Sequence, residues 1–139
     1  MTAEKIKGGP SRVKAVSAWG EFCLALKEDG TVYSWGANTK GRAGQPSSTV
    51  NTGKPTKVAQ LRNIVAISAG YWHSLALDSR GKIFSTGNNK NGELGRDGNG
   101  EEYEFVEVPS PEGVVFTSIA AGFSVSFAID QNGQLYSFG

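Results

Sequence analysis

The stretch ISAGYWHSLALDSRGKIFSTGNNKNGELG, Ile67 to Gly95, decides the fold because the chain repeats it. VSAWGEFCLALKEDGTVYSWGANTKGRAG, Val16 to Gly44, aligns with it without a gap at an offset of 51, and IAAGFSVSFAIDQNGQLYSFG, Ile119 to Gly139, follows at a further 52. Self-similarity at a period of this size marks stacked units that bury their apolar faces only against neighbours.

Every copy has the same parts. A β-branched start and small residues lead into an apolar run (CLAL, SLAL, SFAI), a turn and a second apolar run (TVYSWG, KIFSTG, QLYSFG). Two apolar runs across a glycine predict a β-hairpin, with Gly30, Gly81 and Gly133 at the turns. Asp29-Gly30 and Asn132-Gly133 suit tight two-residue turns, whereas Arg80-Gly81 is a poorer turn that keeps the glycine. Gly36, Gly87 and Gly139 end the second run, and Gly70 and Gly122 share a position that Trp19 takes in the first copy. Ala18, Ala69 and Ala121 are small where strands would crowd near a common axis, and Tyr33, Phe84 and Tyr136 repeat one aromatic position.

Between copies, polar Gly/Ser/Pro-rich segments lead into the strand candidates TKVAQL and EFVEVP. That makes about four strands in about 50 residues, the spacing of a propeller blade, and no segment shows a sustained helical period. The expectation is an all-β propeller of four-stranded antiparallel blades, with about three blades present. Residues 1–12 form a tail or a donated strand, 13–61 the first blade, 62–113 the second, and 114–139 an incomplete third.

Composition agrees. Of 139 residues, 38% are hydrophobic and 19% charged, and the 19 glycines call for many turns. No apolar stretch reaches the roughly 18 residues that span a bilayer. The polar start MTAEKIKGGPSR has no secretory signal pattern and Cys23 is alone, which predicts a reducing, cytoplasmic or nuclear setting. The net charge of +1 is unevenly spread: residues 1–66 carry ten Lys/Arg against four Asp/Glu, and residues 67–139 four against nine.

The pattern ISAGYWHSLAL, turn glycine, KIFSTGNN, NGELG resembles the repeat of the regulator of chromosome condensation family over residues 13 to 139. The resemblance implies a seven-bladed β-propeller, which at this period needs about 360 residues. Three blades then imply a fragment of a longer propeller, self-association of copies to complete a ring, or a strand lent by the N-terminal residues. The first copy departs from the pattern at Trp19 and at GRAG in place of GELG.

Catalytic chemistry finds no constellation. His73, the one histidine, stands opposite Phe22 and Val125 and is expected to be a partly buried strand residue with one local hydrogen bond. Its neighbour Ser74 should point to the opposite strand face, so the two make no nucleophile and base. Cys23 stands opposite serines and reads as a quiet core thiol. One His and one Cys make no zinc pattern, and Asp97 to Glu104 fails the calcium-loop spacing at Glu102 and Val108. GNNKNGELG lacks the Lys-Ser/Thr pair of a phosphate cradle. Trp19, Trp35 and Trp72 fall at different repeat positions and are expected to pack in the core or rim. No cofactor, metal or catalytic residue is expected, and Lys5, Lys7, Arg12 and Lys14 alone make nucleic acid an unlikely partner.

What remains is the rim. The function expected is a non-enzymatic scaffold that binds a protein partner through rim loops: residues 97–113, with Glu101, Glu102, Tyr103, Glu104 and Phe105, and residues 45–57, with Lys54 and Lys57. The family resemblance offers two alternatives, a guanine-nucleotide exchange factor for a small GTPase and a regulatory propeller segment of a larger ligase or kinase.

Overall fold

Each pair of apolar runs folds into an antiparallel hairpin, and each hairpin gains flanking strands that turn it into a blade. The computed structural model describes residues 2–139. The first sheet is β1 (Val13–Trp19), β2 (Phe22–Lys27), β3 (Val32–Ala37) and β4 (Asn51–Lys57) in sequence order. The second is β5 (Ile64–Ala69), β6 (His73–Asp78), β7 (Ile83–Asn88) and β8 (Glu101–Glu107). The third has three strands, β9 (Phe116–Ala121), β10 (Ser126–Asp130) and β11 (Leu135–Phe138). These are consecutive propeller blades, with β1, β5 and β9 in contact along the inner edge. Residues 4–10 make no strand; Ile6, Gly9 and Pro10 line a groove together with Val16, Ala25 and Trp35 of the first blade.

The hairpins close on three-residue turns, not two. Lys27 N–H donates to the Thr31 carbonyl at 2.9 Å and Gly30 N–H to the Lys27 carbonyl at 3.1 Å; Asp78, Gly81 and Lys82, then Asp130, Gly133 and Gln134, repeat both bonds. Such a turn needs positive φ only at its last loop residue, which Gly30, Gly81 and Gly133 hold at 85°, 81° and 77°. The residue before the glycine is therefore free, and Arg80-Gly81 serves as well as Asp29-Gly30. The turn glycine also joins blades: the Gly30 carbonyl accepts Ile64 N–H at 3.0 Å, and the Gly81 carbonyl accepts Phe116 N–H at 3.0 Å.

Between blades the apolar face of one sheet meets the small-residue face of the next. Leu24, Leu26 and Val32 pack with Ile64, Ala69, Ala76 and Phe105 in the first seam. Leu75, Leu77 and Ile83 pack with Phe116 and Ala128 in the second. The middle blade is covered on both faces, so all six residues of β6 are buried. In β10 the same sequence pattern alternates buried and exposed, leaving Phe127 and Ile129 open beside Leu135, which is 68% exposed. Each fully buried Leu or Ile contributes roughly 1.5–3 kcal/mol by leaving water.

Polar groups bind the same seams in register. Ser74 Oγ donates to the Arg42 carbonyl at 2.6 Å, and Ser126 Oγ donates to the Glu93 carbonyl at 2.7 Å. Ser17 Oγ accepts Ala69 N–H and Ser68 Oγ accepts Ala121 N–H, each at 2.9 Å. His73 belongs to this set and departs from the sequence expectation. It is 0% exposed, and its Nε2 meets Ser126 Oγ of the next blade at 2.9 Å. Because Ser126 spends its proton on Glu93, Nε2 is the donor, and Nδ1 lies unpartnered against Gly70. The expected partial burial and local bond fail because the next blade covers the position.

Two outcomes follow. Ile83→Ala should cost about 2–5 kcal/mol in urea unfolding, whereas Leu135→Ala, at the matching position of the third blade, should stay within about 0.5 kcal/mol. The second concerns acid. Burial lowers the His73 pKa from 6.5 to about 4, with Glu93 opposing. The unfolded chain therefore takes up a proton near pH 6.5 that the folded chain refuses until about pH 4. Stability should fall by up to about 3 kcal/mol as pH drops through that window, and His73→Phe should flatten the slope in urea midpoints measured from pH 7 to 4.

Candidate protein-interaction surface

The residues singled out at the rim lie on outer strands rather than in loops. Each outer strand pairs with the third strand of its blade at Ser34↔Thr56 and Gly36↔Thr52, and at Ser85↔Val106 and Gly87↔Glu102. The extra residues form bulges at 53–55 and 103–105. Pairing therefore starts at Asn51 and Glu101, ahead of the expected TKVAQL and EFVEVP, and Pro55 sits in a bulge where its missing N–H breaks no ladder bond.

The register also matches Lys54 with Glu104 and Lys57 with Glu107, all four exposed. The rim thus changes sign from one blade to the next. Glu101 accepts Lys40 Nζ at 3.1 Å and the Tyr103 hydroxyl at 3.1 Å, which together hold its carboxyl below its usual pKa. Burial first, then Glu101, pushes the Tyr103 hydroxyl pKa up. Glu102 is half-buried; its carbonyl accepts Thr86 Oγ1 at 3.0 Å, and its charge partly offsets the burial of Arg96. Phe105 is no rim anchor. It turns inward from the bulge into the first seam, where its ring lies so close to Gly44 that an added Cβ would sit 2.6 Å away.

A second feature was missed in the sequence. The β1–β2, β5–β6 and β9–β10 turns meet at the inner edge on one face of the arc. Tyr71 is stacked on Phe123 at 4.3 Å between centroids, edge-on to Trp72 at 4.4 Å, and edge-on to Trp19 at 6.2 Å. Trp19 is 39% and Phe123 59% exposed. Beneath them, Arg42 lies between the rings of Phe22 and Trp72, its Cζ 4.7 and 5.2 Å from their centroids. It donates from Nε to the Ala37 carbonyl at 3.3 Å and from Nη1 to the Tyr71 carbonyl at 2.8 Å. Trp19, Gly20, Glu21, Arg42, Tyr71 and Trp72 line a pocket of about 300 Å³. The available signal was the departure of GRAG from GELG, which puts Arg42 where the second copy has Glu93.

The other sequence motifs are structural. Asn89 donates to the carbonyls of Arg96 and Gly98 at 2.9 and 2.8 Å and accepts Leu94 N–H at 3.0 Å, tying its own loop. Asn38 does the same for Gln45, Thr49 and Ala43. Burial pushes the Cys23 thiol up, away from the reactive thiolate. Among the described residues no group of three or more His, Cys, Asp or Glu is placed to hold a metal, and no helix is long and apolar enough to cross a membrane.

Known proteins share this repeat. The chain matches the regulator of chromosome condensation (RCC1) repeat over residues 29–77 and 80–129, and a second description of that repeat over 13–42 and 64–93. It is 34% identical over 133 residues to the probable E3 ubiquitin-protein ligase HERC6 of Homo sapiens, covering 91% of this chain and 13% of that protein. It is 37% identical over 123 residues to Protein RCC2 of Homo sapiens, covering 84% and 22%. Prp20p from Saccharomyces cerevisiae superposes with a TM-score of 0.82 at 26% identity, over 96% of this chain and 32% of Prp20p. The chain thus spans about a third or less of the length of each. Repeat and blade architecture agree: the chain belongs to the regulator of chromosome condensation (RCC1) repeat family.

Proposed function

We propose that the chain is a non-enzymatic interaction scaffold whose outer strand β8 presents Glu101, Glu104 and Glu107 to a basic protein partner. The observation that carries this reading is that these three carboxylates are exposed on one strand whose Phe105 is locked in the seam; Glu101 pairs with Lys40 at 3.1 Å and Glu107 with Arg80 at 3.8 Å, and Glu104 has no ion-pair partner among the described residues. Glu102 and Tyr103 flank the row, and Lys54 and Lys57 form the oppositely charged counterpart on β4. Complementary charge speeds encounter and selects partners more than it adds affinity, so salt should weaken this binding. The structure of Prp20p, described with its binding to Gsp1p and histones, supports a protein partner. Cytoplasm or nucleus is the location this reading requires, and a fluorescently tagged chain confined to an organelle lumen would contradict it.

The same similarity favours a second reading, nucleotide exchange on a small GTPase, in which a protein wedge displaces the nucleotide and needs no catalytic triad. Accelerated release of labelled GDP from such a GTPase is required. The 34% identity to a probable ubiquitin ligase fits a regulatory propeller segment of a larger enzyme. Self-association is a separate proposal that rests on the open faces bearing Val16 and Leu135, and light scattering decides it: a monomer at all concentrations ends it.

With core histones as the basic probe, reversing Glu101, Glu102 and Glu104 to Lys should weaken binding at least tenfold at low salt; unchanged binding dismisses the strand. Phe105→Ala should instead lower stability by about 3–5 kcal/mol, and Glu104→Ala should leave it within about 0.5 kcal/mol. Thermal unfolding of both variants checks the division.

A further inference from the structure

Arg42 is 5% exposed, yet no carboxylate lies within 4.0 Å of it among the described residues. Buried charges are ordinarily paired, because an uncompensated ion forfeits its hydration. Burial lowers the pKa of Arg42, and Glu21, the main opposing charge, is exposed at the pocket and makes no ion pair with it. The fold does not demand this arrangement. At the matching site of the second seam, Glu93 is buried but satisfied, accepting Asn88 Nδ2 and Asn91 N–H at 2.9 Å each.

The guanidinium still has donors to give. Nε and Nη1 hold backbone carbonyls, Nη2 has no hydrogen-bond partner among the described residues, and Arg42 lines the pocket. The walls are as unusual as the floor. Trp19 stands where the other copies have Gly70 and Gly122, and Trp72 where they have Glu21 and Ser124. Three departures from the internal repeat therefore converge on one cavity.

We propose that this pocket receives the carboxylate of an Asp or Glu side chain from a partner protein, with Arg42 Nη2 as donor and Trp19, Tyr71 and Trp72 as walls. A charged N–H donor to a carboxylate makes a hydrogen bond roughly twice as strong as a neutral one, and exposed aromatic residues around an Arg form the usual anchor of a protein interface. A phosphate fits less well. Lys40, the other nearby cation, is engaged by Glu101, and Glu21 at the mouth repels a dianion more than a monoanion. Glu21 lines the pocket and repels an incoming carboxylate, so its removal strengthens the site. Lys40, over the Trp72 ring at 5.6 Å and paired with Glu101, is the one link to the β8 row, and the test below reads the pocket without it.

The test is titration of the whole chain with the blocked peptide acetyl-Leu-Glu-Leu-amide, followed by the indole N–H signals of the three tryptophans and the Nε–H of Arg42. Trp19, Trp72 and Arg42 should shift saturably, while Trp35, which lines the separate groove with Ile6 and Val16, stays still. The Gln peptide should bind at least tenfold more weakly. Glu21→Gln, at an exposed residue, should tighten binding several-fold, and Arg42→Lys should abolish it. Equal binding of the Gln peptide, movement of Trp35 alone, no saturable shift, tighter binding of inorganic phosphate, or no gain in Glu21→Gln each overturns the proposal.

Discussion

The packing of one blade's apolar face on the small-residue face of the next is the constraint on which everything else rests. Leu75, Leu77 and Ile83 leave water by packing with Phe116 and Ala128 of the next blade, and Leu24, Leu26 and Val32 by packing with Ile64, Ala69 and Ala76. Hydrophobic burial has no direction, so register must come from elsewhere. The seam hydroxyls supply it: Ser74 and Ser126 each donate to the carbonyl of the loop residue in the blade before, at 2.6 and 2.7 Å. A slip of one residue would turn each strand's apolar set to the wrong face and strand those hydroxyls in the core.

The same constraint explains where variety is permitted. Positions that meet a seam backbone are held to small residues, as at Gly41, where a Cβ would collide with the Glu102 carbonyl of the next blade. Turns at the ends of the blades are not so held, and there the copies diverge to Trp19, Tyr71 and Phe123 on one face; the outer-strand bulges of the first two blades diverge to Lys54 and Glu104. Function in such a molecule lies on divergent positions carried by a uniform frame.

The period, the hairpins and the blade were legible because each is written in local sequence: a turn glycine between two apolar runs, repeated at 51 and 52 residues. The outer strands were placed late because Asn51 to Pro55 alternates nothing and carries both Gly53 and Pro55; only pairing with β3 makes it a strand. Phe105 was misread as an anchor because its inward turn depends on a bulge and on Gly44 in the preceding blade. His73 is buried by Ser126, 53 residues away, a distance no local pattern reveals. The aromatic pocket was missed for a related reason: Trp19 and Trp72 occupy different repeat positions and meet only through Tyr71.

If the seams hold the arc together, stability should be greatest where a blade is covered on both faces and should fall away from it. Native-state hydrogen exchange measures this directly. Amides of β6 and its neighbours β5 and β7 should exchange only through global unfolding, while those of β10 and β11 open at lower free energy and with less denaturant sensitivity. Equal protection in all three blades, or loss of β6 protection independently of its neighbours, would show that each blade is stable alone and contradict the account.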